Sequence, residues 1–416
     1  MKDIKNITLY TIGIILSGFF AACTSYDAEL PTYPVSIQLT MDGMEQKDSF
    51  EVTLTNNLGN KVMAFTDNDG IAHFNIPAGI YQGSTSKIVE NFNSRIVYNA
   101  SISDLVVGEN QQASNTNITL PVIRTTTNIL VIKEIYTGGC QKNDNSGAFN
   151  YDKCIILYNN SPSEVSLDNV AIGMIEPYNA EASTHSFISD GKLDYEEEDW
   201  IPALNGIWYF QNGHKIQPYS ELVINTSGAI DNTIVYANSI NYANKDYFCF
   251  YDTESSGPDG KTYSSKLYYP APSSLIPVSQ YLKAVKYGNG TAWMMSNTSP
   301  AIIVFRTEGC TPKDFASNNE NITYPSGRQG NNAYSCLKVK RSWVIDAVET
   351  FNALKQGDNK KRITPDLDNG AVMHTSQQGH SLIRKVDKVV DGHNIYLDTN
   401  NSTNDFYEAP QCSLKK

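Results

Sequence analysis

Histidines and acidic residues in the last quarter of the chain are the side chains best suited to bind a metal ion. They are His374, His380, Asp366 and Asp368. Imidazole nitrogens and carboxylate oxygens are ligands of divalent transition metals. Their spacing matches no established ligand pattern, and solvated polar loops are the alternative interpretation. We therefore treat a divalent-metal site as a weak hypothesis and expect no other cofactor.

The standard catalytic strings are absent from the sequence. There is no Gly-x-Ser-x-Gly elbow and no His-Glu-x-x-His helix. The run Gly260-Lys261-Thr262 is similar to the end of a phosphate-binding loop, but the first glycine that such a loop needs is Ser255 here. We therefore expect a protein that is not an enzyme, with an unrecognised secreted hydrolase as the weaker alternative.

Aromatic residues in three stretches could bind a flat ligand. The stretches are IWYF (207–210), LYYPAP (267–272) and TAWMM (291–295). The residues concerned are Trp208, Tyr209, Tyr268, Tyr269 and Trp293. Aromatic faces stack on sugars and chelates at a small entropic cost, so these side chains predict a platform for a small ligand or glycan. The alternative is that they are core residues of strands, in which Tyr and Trp are common.

Six cysteines remain when Cys23 is set aside, and no two of them have the Cys-x-x-Cys spacing of a zinc or redox site. Structural disulfides in an oxidising compartment are the first interpretation, and free buried thiols are the alternative. Six cysteines allow 15 connectivities. We favour Cys140 with Cys154 and Cys310 with Cys336, because each pair would close a short loop within one domain.

The N-terminal segment has the features of an export signal. Lys2 and Lys5 precede an apolar run from 7 to 22 that is too short and too interrupted to span a membrane comfortably. The run ends in Phe20-Ala21-Ala22-Cys23, which resembles the lipobox of bacterial lipoproteins. The resemblance implies that residues 1–22 are removed, that Cys23 is acylated and that residues 23–32 form a lipidated tether.

Acidic residues soon after Cys23 add a localisation signal. Asp27 and Glu29 resemble the export tag of Bacteroidota-type surface lipoproteins. That resemblance implies a protein anchored by lipid to the outer membrane and facing the cell exterior. The protein would then bind a membrane through its lipid anchor without crossing it.

Composition fits an extracellular β-rich protein. The chain has 416 residues, of which 25 are tyrosine and only 18% are charged. The formal net charge of −12 would repel nucleic acid, so we exclude a nucleic-acid partner.

Residues 33–122 predict a small β domain, because apolar residues alternate in VSIQLT (35–40), FEVTLT (50–55) and NITLPV (117–122). Between them, Asp69-Gly70 predicts a tight hairpin turn, and Pro77-Ala78-Gly79 predicts another. The segment AFTDNDGIAHFNIPAGIY (64–81) resembles the transthyretin-like, carboxypeptidase regulatory-like domain. This family implies a small antiparallel β-sandwich that positions a neighbouring domain.

Residues 126–416 predict a second, larger β domain with long loops. Strands are expected at 129–136 and 154–158, and the order of Leu157-Tyr158-Asn159 before Val165-Ser166-Leu167 resembles the lamin-tail domain. That family implies an immunoglobulin-like sandwich used for binding or attachment. Apolar residues at Val344, Val348 and Phe351, followed by Gly357, predict a short amphipathic helix from 342 to 356.

Taken whole, the chain resembles an uncharacterised family of Bacteroidota-type surface lipoproteins with these two domains in this order. The resemblance implies an accessory that binds an unknown small ligand or glycan during nutrient uptake with a TonB-dependent outer-membrane transporter. An adhesion or structural envelope lipoprotein is the alternative function. The fold class that we expect is mainly β: a small sandwich, then a larger sandwich with a short C-terminal helix.

Overall fold

The computed structural model describes residues 30–40, 49–91, 94–108, 117–126, 128–181, 187–189, 192–226, 228–252, 273–287, 295–325 and 334–415. The predicted signal peptide, Cys23 and nearly all of the tether lie outside these residues. Within them, no helix has the length and apolar character that a membrane crossing requires.

The first unit is a sandwich of two β-sheets. Its strands are β1 Thr32–Thr40, β2 Glu51–Asn56, β3 Lys61–Phe65, β4 Ile71–Pro77, β5 Gly79–Asn91, β6 Ser94–Val107, β7 Asn117–Pro121 and β8 Ile123–Thr126. One sheet has the order β4-β1-β7 and the other β3-β2-β5-β6-β8. Alternation in the sequence sends Val35, Ile37 and Leu39 of β1 into the shared core. Because β8 pairs with β6, this sandwich extends past the predicted boundary at 122.

The predicted turn at Asp69-Gly70 is present but does not join paired strands. Asp67 accepts hydrogen bonds from the backbone N–H groups of Asp69 and Ile71, at 3.0 and 2.9 Å, and Gly70 has a φ of 78°. β3 pairs with β2 and β4 pairs with β1, so the turn carries the chain from one sheet to the other. The hairpin prediction is therefore wrong in its pairing, although the turn itself forms.

The second unit contains the remaining strands. They are β9 Leu130–Tyr136, β10 Cys140–Gln141, β11 Ala148–Phe149, β12 Cys154–Asn159, β13 Val165–Ser166, β14 Val170–Met174, β15 Ile188–Ser189, β16 Lys192–Leu193, β17 Trp200–Leu204, β18 Gly206–Tyr209, β19 Lys215–Ile216, β20 Glu221–Asn225, β21 Phe248–Phe250, β22 Tyr281–Lys286, β23 Ala301–Arg306, β24 Ile322–Thr323, β25 Cys336–Lys340, β26 Val344–Asn352, β27 Val372–His374, β28 Ser381–Arg384, β29 Val386–Val390, β30 His393–Tyr396 and β31 Phe406–Ala409. The α-helices of the described residues are α1 Pro312–Ser317 and α2 Ser402–Asp405. Short 3₁₀ segments cover Asn232–Ile234, Val278–Gln280, Asn319–Asn321, Arg341–Trp343 and Ala353–Asp358.

Twelve strands of the second unit form one sheet that curls back on itself. The order is β27-β26-β23-β14-β18-β22-β21-β20-β12-β9-β28-β31. Its two edge strands approach each other, since His374 Nδ1 on β27 lies 3.1 Å from Glu408 Oε1 on β31. Across the interior, the N–H of Ile132 on β9 donates to Asp346 Oδ2 on β26 at 2.6 Å. The enclosed core is continuous from Leu130 to Phe406.

The mainly β fold class is confirmed, but the helix predicted for 342–356 is wrong. Residues Val344–Asn352 form β26, which pairs with β23 on one side and with β27 on the other. The side chains from Asp346 to Asn352 are buried, so apolar residues appear on both faces of the strand and imitate a helical spacing. Helical structure begins only at Ala353, as the 3₁₀ segment that ends at Asp358.

The seam between β27 and β31 generates a prediction about acid stability. Burial opposes ionisation of Glu408, but hydrogen bonds from His374 and from the Thr375 N–H outweigh it and lower the pKa of this carboxyl to about 2. A depressed pKa stabilises the folded state above the ordinary pKa of 4.5, and this stabilisation is lost as the pH falls towards 2. Replacing Glu408→Gln should therefore lower the free energy of unfolding by about 1–3 kcal/mol at pH 7.

Urea denaturation of Glu408→Gln and the unmodified protein at pH 7, 5 and 3 measures this difference. It should be largest at pH 7 and shrink at pH 3. Glu197→Gln, in the exposed acidic loop, is the matched control and should change little at any pH. A difference in the free energy of unfolding between Glu408→Gln and the unmodified protein that stays constant from pH 7 to pH 3 would contradict the lowered pKa of Glu408.

Candidate functional site

The two histidines predicted as metal ligands lie together, but they share a carboxylate. His374 Nδ1 and His380 Nδ1 lie 3.1 and 3.2 Å from the same oxygen, Glu408 Oε1. The other ring nitrogen of His374, Nε2, is 2.8 Å from Thr137 Oγ1. Both nitrogens of the buried His374 ring therefore have protein partners.

The two predicted aspartate ligands are engaged elsewhere. Asp366 forms a two-point ion pair with Arg341, at 2.6 Å to Nη2 and 3.0 Å to Nε. Asp368 is buried and accepts from the backbone N–H groups of Glu349 and Gly370, at 2.7 and 3.0 Å. In the described part of the chain, no group of three or more His, Cys, Asp or Glu side chains is arranged to hold a metal ion. The described residues therefore give no support to a metal site made of His374, His380, Asp366 and Asp368.

The aromatic platform is also wrong where the structure describes it. Trp208 is 0% exposed and packs edge-on against Phe250, with ring centroids 5.5 Å apart. Tyr209 is half-buried against the same core, and burial raises the pKa of its hydroxyl to about 12. Neither side chain is placed to stack on a ligand from solvent. Tyr268, Tyr269 and Trp293 lie outside the described residues.

Neither favoured disulfide is formed, because the six described cysteines are free thiols. Cys154 packs in a buried cluster with Cys412 rather than with Cys140. Cys336 is fully buried in the large core, whereas Cys310 is partly exposed at the edge of that core. The structure therefore does not contain Cys140–Cys154 or Cys310–Cys336 as a bonded pair.

A cleft between the first sandwich and the curled sheet is the strongest candidate site. It consists of two adjoining cavities of about 370 and 320 Å³, which share Gln82, Ser103 and Phe351 as lining residues. We call these two cavities together the interdomain cleft. Clefts of this size between structural units are common places for small ligands to bind.

Polar and apolar side chains alternate around the first cavity. Gln82, Ser101 and Ser103 line it from the sandwich, and Asn369 lines it from the curled sheet. Phe351 and Ile363 form apolar surface on the same side, while Ile188 and Leu193 close a third wall. Amide and hydroxyl groups beside apolar surface suit a ligand that has both hydroxyl groups and flat apolar faces, as sugars do.

A buried ion pair between Arg362 and Glu349 fixes the chain next to the lining residue Ile363. Arg362 is 0% exposed and donates to Glu349 Oε1 from Nε at 2.9 Å and from Nη2 at 2.5 Å. Glu349 Oε2 accepts the backbone N–H groups of Arg362 and Ile363, each at 2.8 Å. The guanidinium also donates to the carbonyls of Pro177 and Thr350. Since every partner is satisfied, the chain at 362–363 has a single position beneath the cavity.

A second buried carboxylate shapes the loop that carries Asn369. Asp368 accepts from the N–H and the hydroxyl of Ser402, at 2.8 and 2.5 Å, and so ties this loop to α2. Gly370 sits in the junction, where an added Cβ would lie 2.0 Å from Asn401 Oδ1. Only glycine fits that contact, which accounts for the Asn369-Gly370-Ala371 sequence at the cleft wall.

The loop 398–405 joins the curled sheet to the first sandwich. Asn99 of β6 is fully buried and donates to the carbonyls of Thr399 and Asn400. Its carbonyl oxygen accepts from Asn401 Nδ2 at 3.2 Å. Ser84 and Gln82 make further hydrogen bonds to Asn404 and Thr403, at 2.9 and 3.0 Å. This polar seam holds the two walls of the cleft together.

The buried Arg384, which contacts the 398–405 loop, faces three buried carboxylates. Arg384 Nη2 lies 2.5 Å from Asp346, and Nη1 lies 3.2 Å from Asp398 and 3.5 Å from Asp405. Burial raises the pKa of Asp346 and of Asp405 above the ordinary value, although the positive charge of Arg384 opposes that rise.

Sequence reasoning missed the cleft altogether. The sequence analysis did not single out Arg362, which is fully buried next to the lining residues Lys361 and Ile363. It did not single out the polar string around Asn400 either. A run of Asp, Asn, Ser and Thr beside buried strands is the signal that indicates a hydrogen-bonded loop.

Comparisons with other proteins agree with the fold. A family model described as a protein of unknown function (DUF4876) matches residues 217–413, which include Phe351, Ile363 and the 398–405 loop. A crystal structure of a DUF4876 family protein from Bacteroides thetaiotaomicron VPI-5482, at 2.50 Å resolution, is similar with a TM-score of 0.53. At 19% identity, and covering 90% of this chain and 94% of that chain, it shows the fold alone.

A second solved structure, BcpA, the major pilin subunit of Bacillus cereus, has a TM-score of 0.17 and 9% sequence identity. The match covers 76% of this chain and 94% of that chain. No curated protein matches the chain.

The polar seam generates a prediction about how the two units are joined. Replacing Asn99→Ala leaves two carbonyls and one amide group without their partner in a buried position. We expect a loss of about 1–3 kcal/mol in the free energy of unfolding and faster amide hydrogen exchange at 398–405. Urea denaturation and hydrogen-exchange mass spectrometry measure the two effects.

The matched control is Asn394→Ala, an exposed asparagine on β30 that should change neither quantity. Unchanged exchange at 398–405 in Asn99→Ala would show that the seam does not hold the loop.

Proposed function

We propose that this protein is a surface-anchored, non-enzymatic binding component that captures a small ligand or glycan and serves a TonB-dependent outer-membrane transporter. In this proposal the first sandwich is transthyretin-like and positions the curled, lamin-tail-like sheet. The observation that carries the proposal is the interdomain cleft, in which Gln82, Ser101 and Asn369 line a cavity that Phe351 and Leu193 make partly apolar.

Hydrogen bonds hold polar side chains around the cleft in fixed orientations, which supports the proposal that the cleft binds a ligand. Ser101 Oγ donates to Asn369 Oδ1 at 3.1 Å across the two walls. Lys361 Nζ donates to the carbonyl of Gly370 at 2.7 Å, which keeps the loop of Asn369 in place. A wall whose polar groups are already oriented binds a ligand at a smaller entropic cost.

The N-terminal sequence supports the location of the protein. Acylation at Cys23 would leave the described units outside the membrane on a short tether, facing the cell exterior. A cleft on a tethered protein can receive a ligand from solvent and present it to a membrane transporter.

Glycan binding to the full-length protein in mild detergent tests the cleft. A glycan array identifies ligands, and calorimetry gives their affinity. Replacing Ser103→Trp places a large ring in both cavities from an exposed strand position, so affinity should fall at least about tenfold with an unchanged melting temperature.

Ser317→Trp, at the exposed end of α1, is the matched control and should bind normally. A glycan that binds Ser103→Trp as tightly as the unmodified protein would place its site elsewhere. An array without any glycan ligand would remove the sugar class from the proposal.

The anchor and the partner are tested in the native membrane. Cys23→Ala should move the protein from the detergent phase to the aqueous phase in a phase-separation assay, because the acyl chains are lost. Purification of the tagged, acylated protein followed by mass spectrometry should recover a TonB-dependent transporter in a near-equimolar amount. Recovery of matrix or envelope components instead would favour adhesion, and the uptake proposal would fail.

A further inference from the structure

Two buried thiols meet on the outer face of the curled sheet. Cys154 on β12 and Cys412, which follows β31, are members of one buried cluster with Tyr136 and Tyr242. Cys154 is 0% and Cys412 is 1% exposed. Both thiols lie in this one cluster, where burial first and the neighbouring Cys154 second raise the pKa of the Cys412 thiol.

The register of the sheet explains why residues so distant in sequence meet. Ala409 of β31 pairs with Ser381 of β28, Ser381 pairs with Tyr136 of β9, and Tyr136 pairs with Cys154 of β12. These four residues therefore lie in one row across the sheet. The segment 410–415, which we call the tail, runs back along this row from Ala409 towards Cys154.

Hydrogen bonds hold the tail in that path. Ser413 donates to Glu134 from its N–H at 2.9 Å to Oε1 and from its hydroxyl to Oε2. Glu134 is fully buried on β9, two residues before Tyr136, and so points to the same face. The Lys415 N–H closes a turn onto the carbonyl of Cys412 at 3.0 Å. Cys412 is thus fixed over β9 and β12 by groups on both sides of it.

Cys140 is the other thiol of this region, but it has different partners. It lies on β10, and burial together with the nearby Asp152 raises the pKa of its thiol to about 12. Asp152 in turn accepts from Ser239 Oγ at 2.6 Å and from Tyr136 at 3.2 Å. Cys140 is therefore outside the buried cluster that contains Cys154 and Cys412.

We propose that Cys154 and Cys412 form a disulfide that fastens the tail to the centre of the sheet when the protein meets a disulfide oxidant. One cysteine thiolate attacks the disulfide of the oxidant, which forms a mixed disulfide and releases one half of the oxidant as a thiol. The second cysteine thiolate then attacks the mixed disulfide and releases the other half of the oxidant as a thiol. The two cysteine protons end on the two released thiols, so the protein loses two electrons and the oxidant gains them. Because both thiols are buried, the exchange takes place while the tail is lifted from the sheet.

The test uses the full-length protein, purified under reducing conditions in mild detergent and then exposed to oxidised glutathione. Free thiols are blocked with N-ethylmaleimide under denaturing conditions, and the digest is mapped by mass spectrometry. We expect one linked peptide pair, Cys154 with Cys412, and four blocked thiols among the other cysteines that the structure describes as free. The melting temperature should rise by about 5 °C or more, because the bond closes a very long loop, and dithiothreitol should reverse the rise.

Serine variants make the assignment specific. Cys412→Ser should abolish both the linked peptide and the dithiothreitol-reversible rise. Cys249→Ser, a buried thiol in a separate cluster, should retain both and is the matched control. If Cys412→Ser does not fold, the unmodified protein still decides the matter: a link that includes Cys140, or blocking of all six thiols after oxidation, overturns the proposal.

Discussion

One buried guanidinium organises the closed end of the curled sheet. Arg384 on β28 donates to the carbonyl of Ile132 on the neighbouring strand β9 at 2.7 Å. It also reaches Asp346 on β26, which lies in the facing layer, and its guanidinium lies 4.5 Å from the ring centre of Phe406. A charge in this position cannot remain without acceptors, since an unpaired buried ion costs several kcal/mol. The two layers must therefore meet at this point, and the sheet has to curl.

The geometry of the cleft follows from that constraint. Asp405 faces Arg384 and also accepts from the N–H and the hydroxyl of Thr399, at 2.8 and 2.6 Å. These bonds give the 398–405 loop its shape, and that shape presents two carbonyls to Asn99 of the first sandwich. The cleft is thus the outer end of a chain of contacts that begins in the core. Hydrogen bonds between buried polar groups along this chain of contacts hold its two walls together.

The sequence predicted the parts of the fold that depend on local pattern. Alternation located β1, β2 and β7, runs that are apolar on both faces located β9 and β12, and the composition indicated the β class correctly. The spacing of Val344, Val348 and Phe351 made a helix of β26, because a strand buried on both faces shows no alternation. The sequence also favoured cysteine pairs that are near in sequence, whereas Cys154 and Cys412 share a cluster because the sheet order brings β12 close to the segment after β31.

The candidate site could not be predicted in this way, since its contacts join residues that are hundreds of positions apart. Asn99 and Asn401 are separated by 302 residues, and each taken alone is an ordinary polar residue beside a strand. Asn99 and Asn401 stand out as site residues only because they are buried, and the burial of an asparagine at these positions depends on the whole fold. Trp208 failed as a site prediction for the converse reason: it is conspicuous in the sequence because the core needs its volume.

The strand order has a consequence for how the chain reaches its native state. β9 is the first strand of the large sheet to be synthesised, yet one of its two neighbours is β28, which is followed in space by β31. One edge of β9 therefore stays open until nearly all of the described chain has been made, and pairings of such long sequence separation form slowly. The large sheet therefore closes only after β31 has been made, and its main core stays incomplete until then.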